Sequence, residues 1–215
     1  MAKRKTATPE GRLRTCPEKP ARPFPQDRSA PLRSAPLRVS DWEAAALDAL
    51  AENGLAGVAV EPLARRLGVT KGSFYWHFVD REALLAAALA HWEKSYTESV
   101  IHAVERTRDP HERLSLLIGR VVAGGRSDRI HIALASAREP LVREALARVT
   151  HRRLLYLESC YVDLGQSRTA AKRSALLAYA AYVGLVHLRL EAPKELPARE
   201  ALAAYVEHII GKLVP

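Results

Sequence analysis

Leu63-Ala64-Arg65-Arg66-Leu67-Gly68-Val69-Thr70-Lys71-Gly72-Ser73-Phe74-Tyr75-Trp76-His77-Phe78 decides the fold of this chain. It reads as a short helix ending at Leu67, a turn at Gly68 that needs positive φ, and a second short helix for which Thr70 is placed as cap. Phe74 and Phe78 fall on one side of the second helix, polar and aromatic groups on the other. Small residues such as Ala64 let the two helices cross closely. Two crossed helices on a tight turn make a helix-turn-helix, whose second helix enters a DNA major groove. The apolar pattern alone would specify only a helical hairpin; the outward face carries the chemistry. Lys71, Ser73 and His77 can donate to base edges or phosphate oxygens. Tyr75 offers a hydroxyl to a phosphate and a ring to a thymine methyl, and Gly72 removes bulk where backbone could approach the groove. The helix N-terminus at Thr70 favours an anion. Arg81, in the first turn of the next helix, can pair with a neighbouring phosphate. Of Tyr75, Trp76 and His77, Trp76 has the strongest competing claim as a packing residue.

Order begins upstream at Ser40-Asp41-Trp42-Glu43, which has the form of a capping box. Ala45, Ala46, Ala49 and Leu50 follow at helical spacing, and Asn53-Gly54 ends that helix. Val58 and Val60 lead into the helix that runs to Leu67, with Pro62 in its first turn, where a missing N–H costs little. Asp80 is placed to cap the fourth helix. Beyond Arg81 the chain reads as helices alone, over 81–106, 111–124, 127–137, 139–164, 167–191 and 196–212, punctuated by Gly and Pro. No stretch has a convincing period of two. The expectation is an all-α protein of about nine helices: a three-helix helix-turn-helix domain at 40–88 (motif 59–78), then a helical domain at 89–215.

The chain has 215 residues and a net charge of +9. Residues 1–40 hold ten Lys/Arg against three Asp/Glu, so +7 of the excess sits in a tail that also holds seven of the thirteen prolines. With its tandem Ser-Ala-Pro-Leu-Arg at 29–33 and 34–38, segment 1–39 reads as a disordered basic arm unable to build a core. Such an arm attracts polyanions by releasing counterions. No apolar run reaches the ~18 residues of a membrane span, and the N-terminus lacks a secretory apolar region; a cytoplasmic protein is expected. Cys16 and Cys160 are the only cysteines, and a disulfide between them is not expected.

From Trp42 to about Leu89 the sequence resembles the DNA-binding domain of the TetR family of regulators, following its signature through the turn, the third helix and Asp80-Arg81-Glu82-Ala83-Leu84-Leu85. The resemblance implies a homodimer, one reader per half-site of a near-palindromic operator, and a C-terminal domain that binds a small molecule. It places Thr70, Lys71, Gly72, Ser73, Tyr75, Trp76, His77 and Arg81 at the family's base or phosphate contacts. Two departures stand out: Ala59 sits where the family commonly has a Ser or Thr cap, and the basic arm is longer than usual.

In the body, the helices at 167–191 and 196–212 are candidates for a dimer interface, the first through a small-residue surface of alanines and Gly184. Trp92, Tyr96, His131, Tyr156, Cys160, Tyr179, Tyr182 and His187 are candidates to line a ligand pocket; each could equally be a satisfied core residue. No carboxylate stands out among them. Arg143, Arg148, Arg152 and Arg153 read as a solvated face, so an apolar or aromatic effector is expected over a dianionic one. The eight histidines form no metal motif, no cofactor is expected, and nothing suggests an enzyme. Cys160 reads as a quiet buried thiol rather than a redox sensor. The combined expectation is a homodimeric one-component transcription regulator, a repressor released by a small molecule. The alternative is a sequence-indifferent nucleic-acid or nucleoid protein relying on the tail.

Overall fold

The computed structural model describes residues 37–198 and 201–215. Nearly all of the arm, including Cys16, lies outside the described residues. The rest is helical: α1 (Val39–Asn53), α2 (Val60–Leu67), α3 (Lys71–Tyr75), α4 (Arg81–Glu93), a π-helical turn (Lys94–Glu98), α5 (Ser99–Val104), α6 (Pro110–Ala123), α7 (Arg126–Ala135), α8 (Pro140–Asp163), α9 (Arg168–Glu191) and α10 (Leu202–Leu213). Helix α4, the π turn and α5 run on as one rod, so nine helices stand among the described residues.

Local chemistry sets the ends. Helix α1 begins two residues earlier than a cap at Ser40 would set it, with Arg38 at the cap position. Asp41, not Glu43, reaches back, accepting from the Arg38 N–H at 2.8 Å, so Ser40 lies inside the first turn. Asp80 caps α4 by accepting from the Ala83 N–H, and Asp109 caps α6 the same way from His111 and Glu112. Gly68 ends α2 at φ 69°, ψ 33°, the left-handed conformation that glycine adopts without strain. The last helix starts at Leu202 rather than 196, after a 3₁₀ turn at Pro193–Glu195.

Two apolar cores hold the helices. The first joins α1–α4 through Trp42, Leu47, Leu50, Leu63, Phe74 and Leu84, and continues into α7 and the first half of α8 through Ile130, Leu134, Val142 and Val149. The second joins α5, α6, the second half of α8 and α9 through Ile101, Leu114, Ile118, Tyr161 and Val186. Helix α10 packs on α6 within the same chain. Its Val206 and Ile210 cross at Gly119, where a Cβ would lie 3.8 and 3.9 Å from them. Long ion pairs tie α8 to the α4–α5 rod: Arg148 to Glu93 at 3.2 Å and Arg152 to Glu98 at 2.9 Å.

Candidate nucleic-acid interface and ligand cavity

Phe74 anchors the reader. Fully buried, it meets the Trp42 ring edge-on at 5.4 Å and stacks on Phe78 at 5.6 Å. The residues between must then point outward. Thr70, Lys71, Gly72, Tyr75 and Trp76 are exposed, Ser73 and His77 half-exposed. Trp76 is 88 % exposed and Tyr75 57 %, so the packing role considered for Trp76 is not the one it has here. A fully exposed indole beside a lysine is an unusual surface unless something covers it. Thr70 holds the cap position of α3 with extended backbone but makes no side-chain capping bond. Lys71 Nζ donates to Glu61 Oε1 at 3.0 Å, a bond that raises the lysine pKa and lowers that of the glutamate.

Arg81 turns inward. Its Nε donates to the Val58 carbonyl at 2.6 Å and its Nη2 to the Leu55 carbonyl at 3.0 Å. Val58 stands ahead of Ala59, the N-cap whose carbonyl is the first to accept within α2, from Leu63, so the arginine supplies a donor that the helix does not. Arg66 braces the other side, both of its terminal nitrogens donating to Glu52 of α1 at 2.8 Å.

The body encloses a cavity of about 380 Å³ between the α4–α5 rod, α6, α8, α9 and α10. Its walls are mainly apolar: Val100, Ile101, Leu117, Val121, Leu157 and Leu185 among them. Of the eight pocket candidates, Tyr96, Tyr156, Tyr179 and Tyr182 line it. The other four lie outside the lining. Trp92 is buried in the first core. His131 is buried beside the Tyr182 ring at 6.1 Å. Cys160 is a buried thiol whose pKa burial pushes up, and His187 lies 3.6 Å from Glu191 on α9.

Two expectations about charge are corrected. A carboxylate does belong to the lining: Asp128 is buried and pairs with Arg189 of α9 at 2.6 Å. Nor is the arginine run of α8 a uniform solvated face. Arg143 and Arg148 are exposed, but Arg152 and Arg153 are half-buried, and Arg153 lines the cavity. Its Nε donates to Thr97 Oγ1 at 3.0 Å and its Nη2 to the Tyr96 carbonyl. The guanidinium also sits 5.5 Å from the Trp92 ring centroid and 5.9 Å from that of Tyr182. Tyr156 Oη is buried without a partner, and burial pushes its pKa far above the ordinary tyrosine range.

The sequence reading missed Thr97 and the segment 124–128, which also lines the cavity. A double glycine was the one signal for that segment. Gly124 has φ 75°, and a Cβ there would meet the Arg189 guanidinium at 2.5 Å. Beside it, Arg126 Nη2 reaches α1, donating to Asp48 Oδ1 at 2.6 Å and to the Ala44 carbonyl at 3.1 Å. One short segment therefore touches both the cavity and the first helix of the reader domain.

Comparison with known proteins agrees with this geometry. A family model described as bacterial regulatory proteins, tetR family, matches residues 44–88. The tetracycline repressor protein class A from transposon 1721 of Escherichia coli is 43% identical over 75 residues, 35% of this chain and 32% of that protein. The chain thus spans about a third of the length of that relative. The crystal structure of a transcriptional regulator from Rhodococcus sp. Rha1 superposes with a TM-score of 0.68 at 25% identity, covering 82% of this chain and 96% of that one. FadR from Bacillus subtilis, in complex with stearoyl-CoA, shares the fold alone, with a TM-score of 0.65 at 16% identity over 82% of this chain and 98% of that one. Residues 44–88 therefore carry a helix-turn-helix domain similar to that of bacterial regulatory proteins of the tetR family, and the helical body behind it shares the fold of a solved transcriptional regulator.

Proposed function

We propose that the chain is a homodimeric one-component transcription regulator, a repressor that binds a near-palindromic operator and is released by a small-molecule effector in the body cavity. The observation that carries this reading is the exposed row Lys71, Gly72, Ser73, Tyr75, Trp76 and His77, held out on a buried Phe74. Thr70 and the α3 N-terminus stand ready for phosphate, and Arg81 braces the turn. The cavity lies within the 300–1,000 Å³ usual for small-molecule sites and has the mainly apolar lining such sites share. An apolar or aromatic effector fits it.

Dimerisation through α9 is supported by an exposed apolar stripe. Leu176 and Leu177 are 60 % and 62 % exposed, and Ala180, Gly184 and Leu188 continue the face at helical spacing. Leu155 and Val162 of α8 are exposed too, whereas α10 spends its apolar face on α6. We therefore pair α9 with α8, not with α10, across the two-fold axis. A large uncovered apolar surface on a monomer marks an interaction site.

An effector shifts DNA affinity only by favouring one arrangement over another. The α4–α5 rod is one lever, since Tyr96 and Thr97 line the cavity and α4 packs behind the reader. The segment 124–128, through Arg126 and Asp48, is a second.

Selection of bound duplexes from a random pool tests the reading. The expected result is a two-fold symmetric consensus whose half-site centres lie about 34–36 Å apart. Bound sequences without symmetry, or affinity that vanishes when residues 1–39 are deleted, would favour a sequence-indifferent binder instead. Replacing Tyr75 and His77 with Ala in a folded dimer should abolish the consensus.

A further inference from the structure

Five arginines of the body are half-buried: Arg113, Arg126, Arg152, Arg153 and Arg189. Four have a carboxylate partner: Asp163 at 2.7 Å, Asp48 at 2.6 Å, Glu98 at 2.9 Å and Asp128 at 2.6 Å respectively. Arg153 alone has none among the described residues, and it is the one that donates to neutral oxygens, Thr97 Oγ1 and the Tyr96 carbonyl. A charge withdrawn from water is costly unless an opposite charge meets it. Here the open side of the guanidinium is the cavity.

A second observation stands one helical turn away. Tyr156 follows Arg153 by three residues on α8, so the two share a face. Its hydroxyl is buried, lines the same cavity and has no nitrogen or oxygen partner, with the weakly bonding Cys160 thiol one turn on. A buried hydroxyl left unpaired costs roughly as much as a lost hydrogen bond. A guanidinium without a carboxylate and a hydroxyl without a partner therefore stand together on one wall, while the facing walls from α6, α9 and α10 are mainly apolar through Leu117, Leu185, Ile209 and Leu213, with Arg120 exposed on α6. Asp128, the acidic residue of the lining, is already neutralised by Arg189.

Resting on the effector reading above, we infer that the cavity takes an organic monoanion: a carboxylate held by Arg153 and Tyr156, on an apolar or aromatic body held by the remaining walls. Arg153 keeps Nη1 outside its bonds to Thr97 and Tyr96, with the guanidinium beside the Tyr182 side chain, and the phenol of Tyr156 can donate its proton, so the two can meet the two carboxylate oxygens without displacing those bonds. The ring of Trp92 behind Arg153 fixes the plane of the guanidinium.

Three matched probes test this on the full chain: decanoate, 1-decanol and decyltrimethylammonium, each below its micelle concentration, titrated calorimetrically. Decanoate should bind about tenfold to a hundredfold more tightly than decanol, the span expected of charge-assisted hydrogen bonds. The ammonium should bind most weakly. Arg153→Gln should bring decanoate and decanol to similar affinity, and Tyr156→Phe should cost decanoate several-fold while leaving decanol unchanged. Arg148→Gln, on the same helix but exposed and paired with Glu93, should leave the order intact. Equal affinity for acid and alcohol in the unmodified chain, preference for the cation, or no binding of any probe would overturn the inference, and none of these needs a variant to fold. Operator affinity measured with and without decanoate separates the two levels. Selective binding that leaves DNA affinity unchanged removes the effector reading and keeps the ligand class. Release of DNA by decanol as readily as by decanoate does the reverse.

Discussion

Replacing Arg81 with Met discriminates between two uses of one residue. Methionine keeps the length and apolar stem of the side chain but removes every donor. The loss falls first on the Val58 carbonyl, which belongs to a fully buried residue and lies ahead of the α2 N-cap, outside the helix's own bonds. Hydrogen bonds from charged groups contribute about 1.5–3 kcal/mol each, and a buried acceptor left unmet costs about 1–3 kcal/mol. The Leu55 carbonyl is more exposed and still accepts from the Val58 N–H at 3.2 Å, so its share is small. The sum is about 2 kcal/mol. For a chain of this size each kcal/mol lowers Tm by roughly 2–4 °C, so R81M should melt roughly 4–8 °C lower.

DNA binding gives the second readout. Each phosphate contact contributes about 0.9 to the slope of log affinity against log salt. A dimer that lost two phosphate contacts would lose nearly two units of slope. If Arg81 braces the turn, operator affinity in R81M, measured well below its melting temperature, should fall while the slope holds. An unchanged Tm together with a slope shallower by about two would refute the bracing argument and return Arg81 to the phosphate backbone.

Four further expectations rest on single features. Ala59 leaves the α2 N-terminus without a side-chain cap, so Ala59→Ser should stabilise. Pro62 removes one of the two N–H groups a cap could meet, so the gain should stay near the lower end of the usual range, about 0.5 kcal/mol, read as a small rise in Tm; a fall would mean that the first turn cannot accept the serine. Glu61→Gln should free Lys71 and remove a negative charge from the reader face, tightening DNA binding most at low salt; unchanged affinity across a salt titration would place Lys71 away from DNA. Leu177→Glu, or Gly184→Arg where a Cβ meets open space, should yield a folded monomer by light scattering that no longer binds the operator, whereas an intact dimer would remove α9 from the interface. His131, whose pKa burial first and then the charges of Arg153 and His187 lower from 6.5 to about 4, is neutral in the folded chain. As pH falls from about 6.5 to about 4 the unfolded chain takes up the proton first, so stability is lost over that window, by no more than about 3 kcal/mol, and levels off below it. His131→Gln should flatten Tm against pH there, and parallel curves would show that the carboxylates dominate.

The helices were legible because their ends carry chemistry. Asp80, Gly68, Gly54 and Pro110 each stand where a cap or stop is needed, and each does so in the structure. The outward face of α3 was legible because Phe74 and Phe78 must be buried, and the spacing of an α-helix then sends Lys71 and Tyr75 outward. The π turn at Lys94–Glu98 was not legible. It widens one turn of a helix whose flanking residues all favour helix, and no glycine or proline marks it. Yet it brings Tyr96 and Thr97 together at the cavity. Which helix of its own chain α10 meets could not be read, because its apolar residues are equally fit for a partner chain or for α6. What decides is Gly119, a gap on another helix that no reading of α10 alone can reveal.

Arg81 and Arg153 share a deeper reason for lying elsewhere than the pattern suggests. Helical phase fixes the direction of Cβ, and for Leu or Phe that settles the environment. An arginine carries its charge at the end of a long flexible stem, so its head can leave the face on which its Cβ stands. Sequence pattern sent Arg81 to a phosphate and Arg153 to solvent; the structure turns one into the Val58 carbonyl and the other into the cavity. In each case the head group goes to a backbone carbonyl. Val58 stands just ahead of the α2 N-cap, and Tyr96 within the π turn. The destination of a buried arginine is thus set by the carbonyl it answers, not by the periodicity of its own helix. Arg153, which answers neutral oxygens and meets no carboxylate among the described residues, is for that reason the arginine on which the proposed ligand charge rests.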